Sequence, residues 1–380
     1  MKTLSALLGV ALILIILWEG FETVVLPRQV TRRARLTRIF YRYTWQSFAT
    51  IVRRVVSTKH QETYLSFFGP LSLLLLLGVW AGGMILGFGL FYWTTGSAFK
   101  VPEETSTFLT YLYLSGTTFF TLGLGDIAPG STLTRGLTVV EAGLGFGFLA
   151  LVLSYLPALN QSFARREVRI SLLDARAGSP PSAVELLRRH SDQHNTEALQ
   201  QLLHEWEHWS AEVLESHLSF PVLAYFRSQH DNQSWLAALT MILDGCALII
   251  IGLEGVCERQ AELTFAMASH AVADLVIVFR RQPRKPDHDR LPSDELARVR
   301  AALAEAGLRL REGPDADQRL TELRQMYEPY VYTLSELLRM RLPSWIHESR
   351  QADNWQTSSW EHRGEVQGSL LQGDHVNKHF

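Results

Sequence analysis

Residues 117–130 read TTFFTLGLGDIAPG, and these residue types suit one kind of chemistry, the stripping of water from a cation. Gly123 and Gly125 alternate with leucines, so a positive φ is available at every second residue. A backbone that alternates between left- and right-handed regions can turn successive carbonyls toward one side. Several such strands around an axis would stack rings of carbonyl oxygens that replace the shell of a dehydrated cation. Thr121 can add its hydroxyl at the inner end, and Asp126 places negative charge at the outer mouth. A second candidate is HEWEH at 204–208, the H-E-x-x-H pattern in which His204 and His208 would hold zinc and Glu205 would act as base. The longer form of that motif fails because Leu214 stands where a third histidine belongs. Its plain alternative is an amphipathic helix whose acids and histidines face water.

Such a cation path needs elements that carry it to membrane depth. Residues 67–93 contain no charge and exceed the roughly 20 residues that cross a bilayer. Residues 132–156 form a second apolar segment, with Arg135 near its start and one internal acid, Glu141. The N-terminal stretch 4–27 has the Lys2 and apolar core of a signal peptide. Glu19, Glu22 and bulky neighbours stand where small residues would mark a cleavage site, so an uncleaved first helix is expected. Between these segments, 27–60 holds Arg28, Arg32, Arg33, Arg35, Arg38, Arg42, Arg53, Arg54 and Lys59 without an acid. That places it on the cytoplasmic side, either as a linker or as an amphipathic helix on anionic lipid, with Phe40, Tyr41, Tyr43 and Trp45 at the interface. Arg165, Arg166 and Arg169 beyond the third helix agree. The N-terminus is then outside, the C-terminal half is cytoplasmic, and 117–130 enters from the outside. Residues 104–120 start with an acid and Ser/Thr and are too short to finish a crossing, which predicts a re-entrant helix. Irregular backbone at that depth is tolerated only where protein buries it or it lines water.

TTFFTLGLGD, set between a short re-entrant helix and a glycine-bearing helix, resembles the selectivity filter of the tetrameric potassium channel superfamily, whose usual form is T-V-G-Y-G-D. The resemblance covers about residues 67–157. It implies a homotetramer with potassium as the permeant ion, a filter made of Thr121, Leu122, Gly123, Leu124 and Gly125, and Asp126 just outside. Leu124 departs from the family's usual aromatic residue, whose ring packs behind the filter and helps hold its width. A leucine there puts strict selectivity for potassium over sodium in question. Thr117 and Thr118 are expected behind the filter, with Thr117 hydrogen-bonding to Asp126. Glu141, a charge at membrane depth, either bonds Ser115 or a neighbouring threonine or sits protonated and silent. Inner helices of this superfamily often bend at a glycine. Gly143, Gly145 and Gly147 are candidates, Gly145 being nearest the expected position, although small residues in membrane helices are as often packing sites. Pro157 would end or kink this helix. No helix carries arginines at every third position, so nothing supports a voltage sensor.

The remaining chain reads as helices near 182–190, 195–217, 234–253, 258–281, 293–310 and 315–341, separated by turns such as GSPPS and REGPDAD. The apolar segment 235–255 is interrupted by Asp244 and is expected as a buried helix, not a further span. Cys246 and Cys257 suggest neither a disulfide framework nor a zinc cluster. Six histidines, His190, His194, His204, His208, His217 and His230, lie between 190 and 230, which leaves a proton or metal sensor conceivable. With a net charge of −2, neither nucleic acid nor a polyanion is implied as partner. No strand-borne G-x-G-x-x-G supports a dinucleotide-binding domain, and no cofactor is implied.

The expected fold is therefore an all-α membrane protein. Its parts are a first transmembrane helix (1–27), a basic linker or interfacial helix (28–66), a pore domain (67–157), a helical cytoplasmic domain (158–349) and a disordered tail (350–380). The leading expectation is a passive potassium-selective channel of the plasma membrane without enzymatic activity. A weakly selective cation channel, a membrane-anchored zinc peptidase using HEWEH, and a non-conducting scaffold are the alternatives.

Overall fold

The computed structural model describes residues 2–25, 36–95, 99–100, 107–191, 196–229, 232–253 and 258–346. Arg28, Arg32, Arg33 and Arg35 of the basic linker, His194, His230, Cys257 and the 350–380 tail lie outside the described residues. The chain divides into two compact units, Met1–Phe163 and Ala164–Phe380.

In the first unit, α1 (Lys2–Gly20) packs against α4 (Phe68–Thr94). Glycine makes this approach possible. A Cβ on Gly9 would meet the Gly87 carbonyl oxygen at 2.5 Å, and one on Gly83 would meet Ile16 Cδ1 at 2.3 Å. Gly83 and Gly87 form the small-x-x-x-small pattern through which helices associate in lipid. On another side of α4, Leu76, Trp80, Met84, Phe88 and Tyr92 recur every fourth residue. They build one core with Tyr111, Leu114 and Phe119 of α5 (Phe108–Phe119).

Between α1 and α4 lie the amphipathic α2 (Leu36–Val55) and the short α3 (Gln61–Ser66). Trp45, Ala49 and Val52 of α2 are buried, with the Trp45 ring 4.9 Å from Phe68, while Arg42, Arg53 and Arg54 are exposed. The Glu19 carboxylate caps the start of α2, accepting from the Leu36 and Thr37 backbone N–H groups at 3.0 and 3.1 Å and from the Thr37 hydroxyl at 2.9 Å. An acid at the end of one helix thereby satisfies the free donors at the start of another. Strands β1 (Phe99–Lys100) and β2 (Ala128–Pro129) pair antiparallel, tying the chain before α5 to the chain after 117–126.

Helix α6 (Thr132–Ala177) corrects two expectations. It does not end at Pro157, because the ring removes one backbone donor while the residues on both sides are good helix formers, and the helix stops only before Gly178, which has φ +83°. Arg165, Arg166 and Arg169 therefore lie within this helix, not beyond it.

The second unit is built from α7 (Ala183–Arg189), α8 (Thr196–Ser219), α9 (Trp235–Ile250), α10 (Glu258–Val278), α11 (Ser293–Glu305) and α12 (Pro314–Leu338). Its only extended pairing among the described residues is the Leu253–Leu310 bridge. Helix α9 is buried along almost its whole length. Its Asp244 is buried too, bound by Arg290 at 2.6 Å and by the Tyr327 hydroxyl at 2.5 Å. A charged residue so paired belongs in a protein core, as expected for this segment.

Among the described residues four helical stretches are long and apolar enough to cross a membrane: Thr3–Val24, Gln61–Thr94, Thr132–Ala177 and Glu258–Val278. The first three contain the segments expected to span. The fourth, α10, buries Ala261, Phe265, Ala268, Val272 and Leu275 within the second unit, where it packs against α8, α9 and α12.

Candidate functional site

Thr107 precedes α5, and its backbone N–H donates to the Thr110 hydroxyl at 3.2 Å. Residues 104–106, where the sequence places the start of this helix, lie outside the described residues. At the other end the chain leaves α5 through a last helical bond, Phe120 N to Gly116 O at 3.1 Å, then a tighter one, Thr121 N to Thr118 O at 2.9 Å, and a wider one, Leu122 N to Thr117 O at 2.7 Å. The loop therefore departs from the negative end of the helix dipole, which favours a cation there.

Residues 121–125 then run in open backbone with a strict alternation. Thr121, Gly123 and Gly125 have φ of +57°, +56° and +81°, and Leu122 and Leu124 between them do not have positive φ. The two glycines meet this requirement at no steric cost. Thr121 does not, since a β-branched residue at positive φ is strained, and strain of about 1–3 kcal/mol is kept where surrounding structure enforces it. Leu122 and Leu124 are both exposed in the single chain, Leu124 by 63%.

Thr117 and Thr118 are buried behind the loop. The expected bond from Thr117 to Asp126 is not present: the Thr117 hydroxyl donates to the Leu114 carbonyl at 2.9 Å, as a threonine within a helix readily does. The Tyr113 hydroxyl, one helical turn earlier on α5, faces Asp126 instead. Sequence reading missed Tyr113 because nothing in the spacing links it to an acid across the loop.

Glu141 of α6 is fully buried and bonds Ser115, one of its expected partners. A further partner is Tyr92 of α4, whose hydroxyl donates to Glu141 at 2.5 Å. Three helices thus meet on one carboxyl group behind the loop. Of the three glycines, Gly145 touches the site. A Cβ there would lie 1.9 Å from the Phe119 carbonyl oxygen, so the close approach of α6 to the end of α5 requires glycine. Gly143 and Gly147 face open space within the chain.

The 204–208 pattern is built otherwise. Trp206 and Trp209 face the core while His204 and His208 are exposed, their rings 4.7 Å apart. Glu205 is held by Arg169 at 2.7 Å. Among the described residues no group of three or more His, Cys, Asp or Glu side chains is placed to hold a metal ion. His217, counted with these histidines in the sequence, is buried: its Nδ1 donates to the Val213 carbonyl at 2.7 Å and its Nε2 faces Arg166 at 3.4 Å.

Residues 81–161, which hold α5, the loop, Glu141 and Gly145, match the family described as "Ion channel" (Ion_trans_2). That match supports a pore-loop ion channel family, consistent with the potassium channel superfamily. The chain is also 24% identical over 226 residues to "Uncharacterized membrane protein YdjJ" of Bacillus subtilis (strain 168), across 57% of this chain and 62% of that protein. The chain thus spans less than two thirds of that relative. No solved structure matches.

Proposed function

We propose that the chain is one subunit of a passive, potassium-selective channel in which four copies surround a common pore. The observation that carries this reading is the alternation of φ at Thr121, Gly123 and Gly125 directly after the dipole end of a short helix. Four such strands would offer stacked carbonyl rings to a dehydrated potassium ion. Asp126 supplies negative charge at the mouth. The ion moves down its own electrochemical gradient, so no catalytic residue is required.

In this reading α1, α4 and α6 cross the plasma membrane with the N-terminus outside. The second unit is a cytoplasmic helical domain, and α6 with that domain opens and closes the pore. The basic face of α2 lies on anionic lipid. Leu124 favours a second reading, a weakly selective cation channel, because its exposed aliphatic side chain has no hydroxyl with which to hold the loop's width. Potassium efflux from liposomes holding the purified chain tests the proposal. Efflux is expected for wild type. Gly125→Ala should abolish it, since a Cβ at that φ costs about 1–2 kcal/mol in every subunit. Equal efflux in both proteins would contradict the filter assignment.

A further inference from the structure

Three oxygen-to-oxygen contacts converge behind the 121–126 loop. The Tyr92 hydroxyl lies 2.5 Å from Glu141 Oε2, Ser115 Oγ lies in hydrogen-bond contact with Glu141 Oε1, and the same Ser115 Oγ lies 2.9 Å from the Ile85 carbonyl oxygen. Each contact is attractive only with a proton between its two oxygens. Tyr92 and Ser115 bring one proton each, and the Ile85 carbonyl brings none.

With Glu141 ionised, two protons must serve three contacts. Either Ser115 donates to Ile85 and turns a lone pair toward the carboxylate, or it donates to the carboxylate and abandons Ile85. With Glu141 protonated, every contact is served in one direction. Tyr92 donates to Oε2, Oε1–H donates to Ser115 Oγ, and Ser115 donates to Ile85.

The surroundings do not supply a charge that would favour the ionised form. Helix α4 presents Tyr92 and the Ile85 carbonyl, and α5 presents Ser115. On α6 itself, Thr138 stands beside Tyr92 with its own hydroxyl donated to Thr134 O at 2.8 Å. Among the described residues no cationic side chain pairs with Glu141. A buried carboxylate without a cation or a full set of donors is disfavoured.

We infer that Glu141 holds a proton and serves as a neutral strut, the middle of a directed chain Tyr92 to Glu141 to Ser115 to Ile85 that ties α4, α5 and α6 together behind the loop. Ser115 stands two residues before Thr117, whose carbonyl accepts from Leu122 N. The strut therefore fixes the end of α5 from which the loop departs. That consequence for conduction rests on the channel reading, whereas the protonation does not.

Infrared difference spectra of the full chain in zwitterionic liposomes at neutral pH test the protonation directly. Wild type minus Glu141→Gln should show the carbonyl stretch of a protonated carboxylic acid. Carboxylate bands in its place would overturn the inference. If Glu141→Gln does not fold, Tyr92→Phe should move the same carbonyl band upward, because the C=O loses its donor; an unmoved band would also overturn it. Potassium efflux provides the functional readout. Glu141→Gln, whose amide offers one donor and one acceptor at the same places, should conduct like wild type, while Glu141→Ala should lose about tenfold as buried hydrogen bonds go unmade. Equal loss in both variants would mean that the negative charge is what matters, against the neutral strut. A protonated-acid band in a wild-type protein that conducts no ion would support the strut and refute the channel reading.

Discussion

At Asp126, two threonine- and tyrosine-bearing positions of α5 compete as partner, and the structure separates them. Thr117 spends its hydroxyl on Leu114 O, whereas the Tyr113 hydroxyl faces the carboxylate. Tyr113→Phe is therefore expected to shorten the open lifetime in single-channel records, and Thr117→Val to leave conduction and inactivation unchanged. The reverse pattern would return the role to Thr117. Residues of this site differ in how far the sequence exposes them. Gly123 and Gly125 announce their backbone, because only glycine takes positive φ without cost. Thr121 does not, since a β-branched side chain argues against the conformation it adopts. Glu141 is conspicuous as an acid at membrane depth. Its partner Tyr92 is hidden, because a tyrosine near the end of an apolar helix reads equally well as an interfacial anchor.

Among the elements, α6 and α5 meet where a glycine is indispensable. With 1.9 Å between a Cβ on Gly145 and the Phe119 carbonyl oxygen, Gly145→Ala must push the helices apart at the root of the loop. Less assembled protein on size exclusion and little conduction are expected for Gly145→Ala, while Gly143→Ala and Gly147→Ala keep the fold of the single chain. A fully assembled and conducting Gly145→Ala protein would contradict this packing role. The helices themselves were largely legible, since apolar runs and turn residues bracket α4, α5 and α7 to α12 within a few residues. The length of α6 was not. Proline is a breaker in the sequence and is tolerated in the structure, and Arg166, which reads as a cytoplasmic flanking charge, is instead a buried donor to Leu223 O and Phe226 O at 2.9 Å each. Helix α10 shows the opposite ambiguity, because composition alone does not separate a core helix from a span.

On the scale of the whole molecule, an apolar N-terminal half and a charged C-terminal half become two units, a division visible in composition alone. The second unit carries its own pH response. Burial, then the Arg166 charge, push His217 from an ordinary 6.5 down to about 3. The residue is neutral in the fold and takes up its proton on unfolding. Its contribution to stability is complete above about 6.5 and is lost as pH falls from there toward 3. Tryptophan fluorescence should follow this, since the Trp235 ring lies 4.8 Å from His217. The melting midpoint is expected to fall with pH through that window in wild type and less steeply in His217→Gln; equal slopes would contradict it. The first unit bears on the central claim, which is that the 121–125 backbone selects potassium. The most direct measurement is the reversal potential of the purified protein in planar bilayers under opposed potassium and sodium gradients, with Leu124→Tyr beside wild type. Reversal near the potassium equilibrium potential in both proteins is the expected result. Reversal near zero in wild type that moves toward potassium in Leu124→Tyr would make this a non-selective cation pore with Leu124 as the cause, and would contradict the claim.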